Sequence, residues 1–108
     1  KGLDAFPTDQ VAFWTLIEKY KATYFCGHQH IYHASQPWKD KGGNAWQVLA
    51  GSGGSPFDAP ANPAGTSPNR LYAWVKVSLY QSGKIHAETF AFDENYGNTK
   101  TIESWDIR

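Results

Sequence analysis

The chain has no methionine and a single cysteine, Cys26. One thiol excludes an internal disulfide. There is no net charge: ten Lys and Arg residues balance ten Asp and Glu residues. A neutral chain without a basic stripe lacks the field that draws in nucleic acid or an anionic membrane, so neither is expected as a partner. No apolar run approaches the length of a membrane-spanning helix. The first residue is Lys1, so the sequence reads as part of something longer or as a mature form.

What is present suits one domain with a real core. Of 108 residues, 41% are hydrophobic and 16% aromatic, which argues against disorder. After an entry loop at 1–8, Pro7 is expected to stop any earlier element, with Thr8 capping a helix from Asp9 to about Tyr20. Val11, Phe13, Trp14, Leu16, Ile17 and Tyr20 recur at helical spacing and predict one broad apolar face. Thr23 to Cys26 predicts a short buried strand bounded by Gly27. Further short strands are predicted at 30–34 and 46–50, separated by a polar turn at 39–44. Residues 52–69, rich in Gly and Pro, predict a long loop. From Arg70 to Tyr80 the alternation is clean: Leu71, Ala73, Val75, Val77 and Leu79 face one way, Tyr72, Trp74, Lys76, Ser78 and Tyr80 the other. With the Ser82-Gly83 turn and a return strand at 84–92, this predicts a hairpin. The tail from Asp93 reads as polar, with Ile102, Trp105 and Ile107 as anchors.

Three of the four histidines fall within six residues, His28, His30 and His33. At the end of an extended strand, His28 and His30 would point to one side, with Cα atoms roughly 6.5–7 Å apart. Two imidazoles so placed can chelate one metal or serve two metals about 3.5–4 Å apart. Two ligands do not complete a catalytic site. The remaining candidates are His33, His86, Cys26, Asp40, Asp58, Glu88, Asp93 and Glu94, and none stands at ligand spacing to the pair. Two ordinary histidines, a small core cysteine at Cys26 and a hydrogen-bonded or surface His86 are the plain alternatives. Gly27 is expected to let the backbone turn sharply.

A helix leading into a strand that ends in Gly27-His28-Gln29-His30-Ile31-Tyr32, followed about twenty residues later by Val48-Leu49-Ala50-Gly51-Ser52-Gly53-Gly54, resembles the C-terminal third of calcineurin-like metallophosphoesterases. The purple-acid-phosphatase-like branch is the nearest pattern. The resemblance covers residues 9–55 well and the hairpin loosely. It implies an α/β (α+β) chain: a C-terminal portion of a four-layer α/β/β/α sandwich, with one helix followed by mostly antiparallel strands. The whole of 1–108 would be one partial domain. It further implies a dinuclear centre of two divalent or trivalent ions (Mn, Fe or Zn), with His30 on the first metal and His28 on the second. Gly27, Tyr32, His33, Gly51, Gly53 and Gly54 would bind substrate or shape the site. The implied activity is hydrolysis of phosphate mono- or diesters by a metal-activated water. The family's D-x-H, G-D-x-x-D and G-N-H motifs are not in these residues, and the position of a phosphate-contacting arginine reads His33-Ala34. The missing ligands are therefore expected upstream, and the 108-residue chain alone is expected to be inactive. Its expected partners are a phosphate ester, the missing N-terminal half of the domain, and through exposed sheet a second copy of itself.

Other readings are weaker. The glycine segment lacks the lysine and following helix of a phosphate-binding P-loop. A cupin-like oxygenase would need a glutamate soon after the histidine pair, and 31–35 holds none. A non-catalytic binding module, using Tyr72, Trp74 and Tyr80 as a sugar- or partner-binding platform, is the main rival.

Overall fold

The computed structural model describes residues 2–54, 56–58 and 70–108. Most of the loop expected at 52–69 lies outside the described residues. The chain folds as mixed α and β: one helix followed by two three-stranded sheets.

A single 3-10 turn, Leu3–Ala5, leads into helix α1, Pro7–Lys19. The helix starts earlier than expected. Pro7 does not end an element but opens this one, at a first-turn position where its missing N–H costs nothing. Thr8 lies inside the helix, and no side chain caps its start. The helix ends as Lys21 turns to a φ of 50°. The broad apolar face is also narrower than its sequence pattern: Trp14 is buried, while Val11, Leu16 and Tyr20 are exposed. The Phe13 ring meets Tyr24 edge-on at 5.0 Å. Glu18 fixes the helix to the next turn, its carboxylate accepting the backbone N–H groups of Asn44 at 3.1 Å and Ala45 at 3.2 Å. Gly43 is needed there, because a Cβ would collide with Glu18 and with Trp38.

The first sheet holds β1 (Tyr24–Cys26), β2 (Tyr32–Ser35) and β3 (Gln47–Ala50). β3 is central, parallel to β1 and antiparallel to β2. A 3-10 turn at Lys39–Lys41 and left-handed Gly42 carry the chain from β2 towards β3. The second sheet is an antiparallel meander of β4 (Leu71–Leu79), β5 (Ile85–Asp93) and β6 (Lys100–Asp106). The predicted hairpin is present, and Gly83, at φ 86°, makes its turn. The tail is the correction: residues 100–106 form a third strand against β5, with a bulge at Thr89/Phe90.

The sheets pack face to face. Tyr32, Val48, Ala73, Ala87, Ala91 and Trp105 form the core, flanked by Ala34, Trp46, Ala50, Leu71, Val75 and Ile107. Trp46 stacks on Trp105 at 5.0 Å. Alanines dominate the β4–β5 side, which lets the large rings from the first sheet and β6 fill the gap. The first sheet's strands are three or four residues long, those of the second seven to nine. The inner face of the hairpin therefore runs past its cover, and Leu79 is 76% exposed despite its inward parity. Among the described residues no helix is long and apolar enough to cross a membrane.

Candidate functional site

The His28–His30 segment is not extended. It forms bends between β1 and β2, and His28 has a φ of 84°. The expectation that strand alternation aligns the two imidazoles is therefore replaced. A left-handed residue reverses the chain between Gly27 and His30, and that residue is a histidine, not the glycine beside it. Gly27 has no positive φ, and a Cβ there would meet nothing within 4 Å. A non-glycine residue held left-handed stores backbone strain, a feature concentrated at functional sites.

His30 is the more firmly held of the pair. Its backbone N–H donates to Asp58 Oδ2 at 2.8 Å, and its carbonyl accepts the Asp58 N–H at 3.2 Å. Its ring Nδ1 lies 2.9 Å from the Pro56 carbonyl. A carbonyl can only accept, so Nδ1 carries the proton. In the neutral ring Nε2 then keeps its lone pair. A ring nitrogen donating to a backbone carbonyl while the other is left to coordinate is the usual arrangement of a metal-binding histidine. His28 is exposed and borders a cleft of about 870 Å³ between α1 and the first sheet, with Trp14, Tyr24, Cys26 and Leu49 among its lining.

The glycine segment lies against this loop. The Gly51 N–H donates to the Ile31 carbonyl at 3.1 Å. A Cβ on Gly51 would overlap the Gln29 carbonyl oxygen, between the two histidines. Ser52 is fully buried and donates to the Leu71 carbonyl, tying the segment to β4. Gly53 and Gly54 reach open space, Gly54 at φ 106°. One glycine of the three is thus demanded by close approach to the histidine loop, one by its dihedral angle, and Gly53 by neither.

Tyr32 is 5% exposed, so it shapes the site from the core and does not reach solvent. Its hydroxyl donates to the Glu103 carboxylate. With that proton committed, the 3.0 Å bond to Thr89 Oγ1 has the threonine hydroxyl donating. Burial first, then the bond to Glu103, pushes the Tyr32 phenol well above its ordinary value. His33, one residue on, is exposed and faces away from Tyr32 on the strand.

The other candidates lie elsewhere. His86 is hydrogen-bonded to Asp106 at 2.6 Å on the outer face of the second sheet. That bond, with help from Lys84, lowers the Asp106 carboxyl below its usual value. Cys26 is half-buried, and desolvation raises its thiol. Among the described residues no three His, Cys, Asp or Glu side chains converge on a metal position. Sequence reading missed the grip of residues 56–58 on His30. Asp58 was only one of several unassigned carboxylates, and its link to His30 across 28 positions leaves no local pattern.

No family model, curated protein or solved structure matches the chain.

Proposed function

We propose that this chain is the C-terminal part of a metal-dependent phosphoesterase and supplies two histidine ligands, His28 and His30, to a dinuclear centre. On this reading α1 and the two sheets are three layers of an α/β/β/α sandwich, completed by the N-terminal half of the domain. The observation that carries the proposal is the state of His30: proton on Nδ1, held by the Pro56 carbonyl, with Nε2 left to coordinate. The close seating of Gly51 on Gln29 supports it further, because it joins the two segments that carry the resemblance.

The residues present fit such ions: imidazole nitrogen suits Mn, Fe and Zn alike. His30 would hold the first ion and His28 the second. Bound there, the ions would supply a hydroxide nucleophile and a clamp on the phosphate oxygens. Asp58 and Pro56 fix the His30 backbone and ring. Gly51 sets the height of the loop between the histidines. Tyr32 anchors that loop to the second sheet. Remaining ligands would come from outside these residues, so the 108-residue chain alone would not turn over phosphate esters.

The test is zinc titration of this chain joined to its proposed N-terminal half, followed through the histidine ring nitrogens by NMR. The expected result is saturable binding, with the His30 Nε2 signal moving while Nδ1 keeps its proton, and loss of binding in His30→Ala. Unchanged zinc binding in that variant, or none in the wild type, would sink the proposal. A non-catalytic aromatic-rich binding module is then the reading that stands, favoured by Trp74 and Tyr96, which are 46% and 74% exposed.

A further inference from the structure

The outer face of the first sheet carries a cleft that its own chain encloses. Val48 turns into the core, so strand parity sends Gln47 and Leu49 outward. Tyr24 and Cys26 share that side, being the parallel partners of Gln47 and Leu49. α1 reaches this face through Phe13 and Trp14, the Phe13 ring edge-on to Tyr24. The β2–β3 connection contributes Trp38 and Lys41, with the Lys41 ammonium 4.9 Å from the centre of the Trp38 ring. These elements line the cleft of about 870 Å³ that His28 borders. They are also tied to one another, because Glu18 of α1 holds the backbone of Asn44 and Ala45 in that connection. The cleft is therefore formed without a layer from outside this chain.

Its polar groups are unmet. Gln47 is half-buried, and its side-chain amide makes no hydrogen bond among the described residues. Trp14 is 5% exposed, and its indole Nε1–H has no acceptor. Gln10 and Gln29 bring two further amides without a protein partner, and Gln29 stands between the two candidate metal ligands. A polar group withdrawn from water without a partner costs free energy until a ligand or water meets it. An amide carries both donors and an acceptor, and a hydroxyl answers either. A hydrocarbon ring would leave these amides unpaired, whereas a polyol ring lying against the aromatic walls would pair them. Aromatic walls with a few polar groups, in a cleft of this volume, are the usual make-up of a small-molecule site. We propose that this cleft is the subsite for the organic part of the phosphate ester and takes a polyhydroxylated, sugar-like ring, with the phosphate at His28 and His30. This deepens the phosphoesterase reading and rests on it.

The experiment uses the zinc-loaded chain joined to its proposed N-terminal half and three phosphonates that cannot be hydrolysed: 6-deoxyglucose 6-phosphonate, cyclohexylmethylphosphonate and methylphosphonate. Binding is measured by calorimetry, and the side-chain N–H signals of Trp14 and Gln47 are followed by NMR. One hydrogen bond is worth from about twofold to about tenfold in affinity. The glucose compound should therefore bind about tenfold more tightly than the other two, and it alone should move both signals. In Gln47→Leu and in Gln10→Ala that preference should fall towards one. Neither change removes a protein hydrogen bond made by the side chain, so the fold is kept. Equal affinities, a preference that survives both variants, a cyclohexyl compound equal to the glucose one, or a preference with unmoved Trp14 and Gln47 signals would overturn the subsite. Zinc bound at the histidines with any of these results leaves the phosphoesterase reading intact. Absence of zinc at the histidines removes both.

Discussion

The His30 imidazole donates from Nδ1 to the Pro56 carbonyl, 2.9 Å away, while Asp58, two residues further on, exchanges backbone bonds with the same histidine. On the proposed reading, a histidine held in this way would lose little freedom on metal binding. Loosening it should therefore show in metal affinity before it shows in stability. In Asp58→Ala the His30 N–H loses its acceptor. Loss of such supporting contacts typically costs 10–100-fold in metal affinity. About tenfold weaker zinc binding by the chain joined to its proposed N-terminal half is expected, measured by competition with a chromogenic chelator. No change would show that Asp58 does not position His30.

Gly51 and Gly27 make a paired test of the loop. In Gly51→Ala the new methyl group must displace the Gln29 carbonyl. Overpacking of this kind costs roughly 1–3 kcal/mol, read from urea unfolding. Gly27→Ala meets open space and should stay within about 0.5 kcal/mol of wild type. Equal effects would mean that the close approach of the two segments is not what demands glycine at 51.

Tyr32→Phe removes the hydroxyl that satisfies buried Thr89 and the Glu103 carboxylate. Leaving such groups unpaired costs about 1–3 kcal/mol. The alkaline limb carries a sign as well. Folding raises the Tyr32 phenol above its ordinary value of 10.0. Its contribution is thus fully present below that pH and is lost as pH rises towards the folded value. Wild type should lose stability more steeply than Tyr32→Phe above about pH 10. Parallel unfolding curves from pH 9 upward would contradict this.

Much of the fold is legible in the residues because apolar spacing encodes it. The β4–β5 hairpin follows from strict alternation between Leu71 and Leu79, and β3 from the apolar run before Gly51. β6 is not legible: it is an edge strand with only Trp105 buried, so it carries almost no alternating signal. The helix boundary was misread because Pro7 can open a helix as readily as it can close a preceding segment. At the site, His28 and His30 stand out through their spacing, but their geometry does not. A histidine at φ 84° is fixed by tertiary contacts that no local pattern encodes. The grip of Pro56 and Asp58 on His30 is a long-range pairing of the same kind.

The account's central claim is that His28 and His30 belong to a dinuclear phosphoesterase centre completed by residues outside this chain. The most direct measurement is the coding sequence upstream of the Lys1 codon. The account predicts D-x-H, then G-D-x-x-D, then G-N-H in that order, followed without interruption by this chain. A start codon shortly before Lys1, with none of these motifs, would contradict it and leave the two histidines without partners.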